Sequence, residues 1–270
     1  MADIERDLVK KSFGSHAGQY DSLAAVQKKV TDRFAELLGI NTAPPASLLD
    51  IGSGTGRLLD KFGRMFPDAD LVGIDLAFGM AKVARTRLEH NSRALCICSD
   101  AENLPFCDSS FDIVASTSTY QWISPLKKAF AEVYRVLKAD SRFSFALFGK
   151  KTLFELRDSY RRAVVESGRP ITDRTHRFAT AKEVTSALTA AGFTDCSMHE
   201  EMERELHPDV PALLRSIKGI GAGSAARVSD GGLSGRNVML RMMEIYRMDY
   251  GGTGGVQATY HVLYGTGRKI

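Results

Sequence analysis

The chain has 270 residues, of which 44% are hydrophobic and 25% charged, with a formal net charge of +4. The length suits one large α/β domain or two small ones, and the composition is that of a soluble globular protein. No apolar run approaches the ~20 residues a membrane span needs, and the N-terminus carries no basic-then-apolar leader, so a cytoplasmic protein with no membrane partner is expected.

Residues 3–38 read as helices, with Val26, Val30, Phe34 and Leu37/Leu38 spaced along one helical face. A Pro-containing linker, Asn41–Ala46, follows, so residues 1–46 are expected to form an N-terminal helical lid. From Ser47 to Phe148, strands and helices alternate. The strands are Ser47–Ile51, Leu71–Asp75, Ala94–Ser99, Phe111–Ser116 and Arg142–Phe148, and helices fit at Gly56–Phe66, Phe78–His90 and Pro125–Leu137. Such alternation implies a mostly parallel sheet with helices on both faces and a ligand site at the carboxyl ends of the strands.

Beyond Gly149 the pattern changes. Residues 152–168 read as a helix, 169–180 as irregular, 181–191 as a helix and 193–206 as a strand. Helices are expected at 209–220 and 236–249, separated by a Gly/Ser-rich stretch at 221–235, before a last strand at Gln257–Tyr264. The expectation is a domain from 47 to 270 whose sheet is completed late, with helical cap insertions near 152–180 and 207–252. Cys96, Cys98, Cys107 and Cys196 form no Cys-x-x-Cys pair and have no histidine at ligand spacing. They read as buried free thiols, and no metal is expected.

The strongest local signal is Leu48-Leu49-Asp50-Ile51-Gly52-Ser53-Gly54-Thr55-Gly56: an apolar strand, an acid and a glycine-rich turn before a helix. Glycine serves where φ is positive or the backbone must approach a ligand. A nicotinamide-dinucleotide fingerprint would need glycine where Arg57 stands. The spacing suits a ligand without pyrophosphate but with a cationic amino-acid tail, whose ammonium Asp50 can bind directly or through water. Asp75 ends the second strand, where an acid can accept both ribose hydroxyls, and Asp100 follows the third, where it can accept an adenine amino group while the Ala101 amide donates to the ring. Each acid alone could be a helix N-cap.

This array resembles the class I S-adenosylmethionine-dependent methyltransferases: Asp50–Gly56 matches their first motif, Asp75 the second and Asp100–Ala101 the third. Phe111-Asp112-Ile113-Val114-Ala115-Ser116 and Arg135-Val136-Leu137-Lys138 are also similar to that family. The resemblance implies a Rossmann-like, seven-stranded sheet of order 3-2-1-4-5-7-6 with strand seven antiparallel. It implies S-adenosyl-L-methionine as co-substrate and S-adenosyl-L-homocysteine as by-product. The cofactor set is Tyr20, Gln27, Asp50, Gly52, Ser53, Gly54, Gly56, Asp75, Leu76, Asp100, Ala101 and Ser116.

Further stretches resemble one subfamily, the malonyl-acyl-carrier-protein O-methyltransferases of biotin synthesis. They are Phe13-x-x-x-Ala17-x-x-Tyr20-Asp21 with Val26-Gln27; Gln121-Trp122; Leu153-Phe154-Glu155-Leu156; His176-Arg177-Phe178; and Ser216-Ile217-Lys218-Gly219-Ile220-Gly221-Ala222 with Ala258-Thr259-Tyr260-His261. Thr117 stands where asparagine is common, and Asp140-Ser141 replaces a usual Gly-Gly turn. The implied reaction makes a methyl ester of the free carboxylate of malonyl-acyl carrier protein, or malonyl-coenzyme A, as a primer for pimeloyl and biotin synthesis.

A carboxylate is already ionised at pH 7, so no general base is required, and no His–Asp or paired-carboxylate constellation stands out. Alignment and exclusion of water would carry the reaction. Tyr20 is expected to cover the cofactor and lend its ring to the sulfonium, and Gln27 to orient lid or cofactor. Arg177 is the first choice to grip the malonyl carboxylate, with Lys218 and His261 as further positioning candidates and Trp122 as a pocket wall.

Residues 150–180 hold eight Lys/Arg (150, 151, 157, 161, 162, 169, 174, 177) against four acids (155, 158, 166, 173). With Lys28, Lys29 and Arg33 they are a candidate landing face for the acidic carrier. Competing readings are a methyltransferase of another small acceptor, such as a quinone or polyketide acid, and a non-catalytic adenosylmethionine-binding module. A nucleic-acid partner is not expected, since Ser116-Thr117-Ser118-Thr119-Tyr120 holds no Asn/Asp-Pro-Pro-aromatic motif. A monomer is expected.

Overall fold

The computed structural model describes residues 6–39, 44–168, 176–222 and 233–270. Part of the Asn41–Ala46 linker, Arg169, Asp173, Arg174 and most of the Gly/Ser-rich stretch lie outside the described residues. Two helices open the chain, α1 (Arg6–Leu23) and α2 (Ala25–Gly39). The alternating region then runs β1 (Ser47–Ile51), α3 (Arg57–Met65), β2 (Asp70–Asp75), α4 (Phe78–Arg87), β3 (Ala94–Cys98), β4 (Phe111–Thr117), α5 (Leu126–Val136) and β5 (Leu137–Phe148). A single 3-10 turn, Tyr120–Trp122, separates β4 from α5. The rest is α6 (Phe154–Glu166), α7 (Ala181–Ala190), β6 (Thr194–His207), α8 (Val210–Gly219), α9 (Leu233–Tyr250), β7 (Gly251–Gly252) and β8 (Gly255–Arg268).

The strands form one sheet in the order β3-β2-β1-β4-β5-β8-β6. β8 runs antiparallel to both β5 and β6, and the other neighbours are parallel. This is the expected order with one addition: the two-residue β7 pairs with the start of β8 as a short hairpin. β5 begins five residues earlier than expected. Asp140 sits there with φ 60°, a conformation that aspartate tolerates better than most residues, so the strand bends without a Gly-Gly turn.

Alternation along β1 sets the two cores. Leu48 faces α2, α3 and the helices of the second half, while Leu49 and Ile51 face α5 and α7. Burying such fully enclosed aliphatic side chains contributes about 1.5–3 kcal/mol each before entropy is counted. The cysteines correct one expectation. All four are free, but Cys98 and Cys107 are exposed and the other two half-exposed: Cys96 and Cys98 lie on edge strand β3, Cys196 on edge strand β6 and Cys107 in the loop before β4. Among the described residues no cluster could hold a metal ion, and no helix is long and apolar enough to cross a membrane.

The carboxyl ends of β1, β2, β3 and β4 lie beneath α1. Gly14 of α1 crosses Gly79 of α4 so closely that a Cβ on Gly79 would stand 2.4 Å from the Gly14 carbonyl oxygen. Ala17, Ala77 and Met80 pack beside this crossing. Two polar ties hold the ends of the helix. Arg6 bonds Asp100 (2.5 Å) and pairs with Glu102, and Asp21 accepts from Thr55 Oγ1 (2.8 Å) and pairs with Arg87. Gly79→Ala should therefore lift α1, costing about 1–3 kcal/mol through overpacking. Trypsin cleavage at Lys10 or Lys11 should quicken while the urea midpoint of the sheet core shifts little. Unchanged cleavage would mean that the crossing does not seat the helix.

Candidate functional site

The glycine turn after β1 is shaped from both sides. Gly52 has φ 70°, and a Cβ there would lie 2.0 Å from Thr119 Oγ1. Gly54 has φ 54°, has open space around its Cα, and donates its N–H to Asp75 Oδ2 at 3.0 Å. Asp75 Oδ1 also accepts from the Ala77 N–H at 2.7 Å. Gly56 plays a different part from the one expected. It has φ 79°, and a Cβ would meet Ala84 at 3.0 Å, so it lets α3 start hard against α4 instead of lining the site.

A crevice opens over this turn. Gly52, Gly54, Asp75, Leu76, Asp100 and Ala101 line its floor, and Arg6, Val9, Lys10, Phe13 and Tyr20 of α1 form its roof. Asp50 lies below the crevice, only 1% exposed, and neither carboxylate oxygen has a partner among the described residues. Burial, with the Asp75 charge nearby, pushes the Asp50 carboxyl up to about 8. Burial also raises Asp75, to about 6, against the opposing pull of the Ala77 and Gly54 amides. Tyr20 is half-buried, and desolvation with Asp75 and Asp21 drives its phenol far above the ordinary range, so it stays protonated.

A second, tighter cavity adjoins the first. Phe13, Tyr20, Ser118 and Trp122 belong to the walls of both. The inner chamber is mostly apolar, closed by Phe148, Leu153, Phe178, Ile217, Ile220, Ala222 and Tyr260. Its polar members are Gln27, Gln121 and Thr152, besides the hydroxyls of Tyr20, Ser118 and Tyr260. Trp122 meets Phe13 edge-on at 5.6 Å and His176 at 4.8 Å between ring centroids. Burial lowers His176, which packs on Trp122 and Phe178 without itself lining the chamber, to about 4, so it is neutral at pH 7.

Several expected site residues stand elsewhere. Gln27 lines the chamber, not the cofactor crevice. Ser53 is buried and ties the turn to β2 through its N–H to the Ile74 carbonyl at 2.8 Å. Ser116 is fully buried and spends its hydroxyl on the Ile51 carbonyl at 2.7 Å. Arg177 is exposed and paired with Glu183 of α7, although its neighbours His176 and Phe178 do face inward. Lys218 is exposed because α8 turns Ile217 and Ile220 toward the chamber. His261 is 3% exposed, bonded to Glu200 (2.6 Å) and to the Lys151 N–H (3.4 Å), which makes it a strut between β8 and β6.

The expected basic face is also smaller than the residue count implied. Arg33 pairs with Glu201, Lys29 with Glu203, Arg161 with Asp158 and Arg162 with Asp249. Conversely, Phe13, Ser118, Thr119 and Ile217 were not singled out as site residues. The run of hydroxyls after β4 was the available signal, since polar residues at a parallel strand's carboxyl end border the ligand crevice.

A methyltransferase-domain family model matches residues 49–145. A malonyl-[acyl-carrier protein] O-methyltransferase of Geobacter sulfurreducens is 48% identical over 98% of this chain and all of its own. In three dimensions the chain is similar to the YcgJ protein of a Bacillus species (TM-score 0.59, 18% identity, 93% of this chain and 99% of that one). It is also similar to a geranyl diphosphate C-methyltransferase of Streptomyces coelicolor solved with S-adenosyl-L-homocysteine (TM-score 0.52, 14% identity, 91% and 79%).

A cation arriving in the crevice favours the ionised forms of Asp50 and Asp75. Their raised values mean that protons must leave as it binds. Between pH 6 and 8 the affinity for S-adenosyl-L-homocysteine should therefore tighten as pH rises, and level off above about 8. Calorimetry at pH 7 in buffers of different ionisation enthalpy should report a net release of protons. Proton uptake, or none, would contradict this.

Proposed function

Because the chain belongs to the malonyl-[acyl-carrier protein] O-methyltransferases, we propose that its crevice holds the cofactor and its inner chamber the acceptor, the two meeting at Phe13, Tyr20, Ser118 and Trp122. The enzyme methylates the free carboxylate of malonyl-acyl carrier protein with S-adenosyl-L-methionine, in biotin synthesis. A quinone or polyketide acid acceptor is not favoured.

The cofactor suits the crevice residues. The unpartnered oxygens of Asp50 and the positive-φ glycines form a cradle for a cationic amino-acid tail, while Asp75 and Asp100 would take the ribose and adenine. When bound, the cofactor supplies an electrophilic sulfonium methyl. The chain's own part is placement and dryness. Tyr20 and Phe13 cover the junction, and Trp122, Phe178 and Ile217 keep water from the chamber. Nucleophile and sulfonium lose charge together in the transition state, so a poorly solvating chamber favours the step. No Asp, Glu or His lines the chamber among the described residues. This observation carries the reading: a carboxylate acceptor needs no general base, whereas a phenol or alcohol would.

The carrier's approach is part of the same proposal. Lys28, Lys151 and Lys218 each adjoin a chamber-lining residue in sequence (Gln27, Thr152 and Ile217) and form no ion pair among the described residues. Together they make a positive rim for an acidic carrier. The reading takes the enzyme as cytoplasmic, and as a monomer because residues of one chain line both cavities.

Incubating malonyl-carrier with enzyme and cofactor should raise its mass by one methylene unit, as a base-labile ester. A chain that binds S-adenosyl-L-homocysteine yet leaves malonyl-carrier unchanged would exclude this acceptor. Lys218→Glu should lower kcat/KM for the carrier-linked substrate about 3- to 10-fold, chiefly through association, and should flatten its salt dependence. Equal salt dependence in both proteins would remove the rim from the docking face.

A further inference from the structure

The acceptor's carboxylate must reach the place where crevice and chamber join, yet among the described residues no lysine or arginine lines the chamber. The cations touching the crevice, Arg6 and Lys10, lie on the first two turns of α1, and Arg6 is held by Asp100 and Glu102. Three of the chamber's six polar side chains are already committed. Gln121 donates from Nε2 to the Ser118 carbonyl (2.7 Å), Thr152 exchanges hydrogen bonds with the His261 backbone, and the Tyr260 hydroxyl bonds Glu205.

Besides Tyr20, two side chains stand apart from this network. Ser118 has a hydroxyl that is shielded from solvent and without a partner among the described residues, although the residue borders both cavities. Its backbone is in the left-handed region, φ 56°, which an ordinary side chain adopts only at a cost of the order of 1–3 kcal/mol. That turn is held from both sides by the Ser118 N–H to the Ala146 carbonyl (2.8 Å) and by the Gln121 amide on the Ser118 carbonyl. The second is Gln27, whose amide forms no hydrogen bond among the described residues. α2 brings it to the same place: Thr31, one turn later, bonds the Gln27 carbonyl (2.9 Å) and touches Thr117 Oγ1 (3.4 Å), the residue before Ser118.

We infer that the Ser118 hydroxyl and the Gln27 amide are the neutral hydrogen-bond donors that hold the carboxylate about to be methylated, with the Tyr20 hydroxyl beside them. The inference rests on the acceptor reading above. Neutral donors suit the chemistry. The carboxylate loses its charge as the O–CH3 bond forms and the S–CH3 bond breaks, with the electron pair passing to sulfur. A fixed cation would stabilise the charged ground state more than the transition state and so slow the step. Hydrogen bonds fix orientation and leave one oxygen lone pair for attack. Gln27 and Ser118 are thus acceptor-binding residues, while exposed Arg177 and Lys218 lie outside the grip.

The test uses Ser118→Gly, which keeps the left-handed turn, and Gln27→Leu. KM for malonyl-carrier should rise about 10- to 100-fold in each, the effect of losing a hydrogen bond to a charged group. The affinity for S-adenosyl-L-homocysteine should stay within about twofold, showing that the crevice is intact. Inhibition by propionyl-carrier, which lacks the carboxylate, should be unchanged. Gln27→Glu, which sets a carboxylate against the carboxylate, should be the worst variant. If the wild-type enzyme methylates malonyl-carrier while both variants keep its KM, or if propionyl-carrier weakens in parallel, this inference alone is overturned. If the wild type binds S-adenosyl-L-homocysteine but leaves malonyl-carrier unmethylated, the acceptor reading falls and this inference with it.

Discussion

Two carboxylates at the ends of adjacent parallel strands, Asp50 fully buried and Asp75 half-buried, stand beside a glycine turn with little cationic compensation. Burying a carboxylate without a full set of partners is costly, which is why both are raised above their ordinary values. Asp75 recovers part of the cost through the amides of Gly54 and Ala77, and Asp50 recovers none of it from the described residues. The site is thus arranged around stored electrostatic demand. Glycine at 52 and 54 keeps the ground above it open, and α1 closes it from the other side.

The rest of the architecture divides the labour. The crevice is polar at its strand ends, as suits a charged, hydrogen-bonding molecule, while the chamber is mostly apolar. The helices that follow β5 and β6 supply much of the chamber wall, through Leu153 before α6 and through Ile217 and Ile220 of α8 and its end. On the proposed reading, the first half of the chain would bind the common donor, and the second half, with α2, would shape the space for one acceptor.

Much of this was legible in the sequence. Period-two alternation and the positions of Gly and Pro located the strands and helices, because β1, β2, β4 and their helices are amphipathic or wholly buried in ways that leave a periodic trace. The strand-end acids Asp75 and Asp100 were equally visible. Cationic residues were misjudged. Arg177 and Lys218 carry the right chemistry beside inward-facing neighbours, but one step along a helix or loop turns a side chain to solvent. His261 looked like a pocket residue, yet Glu200 from the adjacent strand claims its ring. That pairing depends on β8 entering the sheet between β5 and β6, which local periodicity does not record. Ser118 was hidden because its value comes from a left-handed backbone and from the hydrogen bonds that hold it there.

Trp122 is the one tryptophan in the chain, and it stands where the roof helix, the crevice and the chamber come together, against Phe13 on one side and His176 on the other. Its indole therefore makes the protein its own optical probe. Movement of α1 alters the Phe13 ring set edge-on against it, and a guest in the chamber alters the polarity around it. Emission wavelength and quenching can follow opening and filling as separate events, in the unlabelled enzyme, on the time scale of mixing.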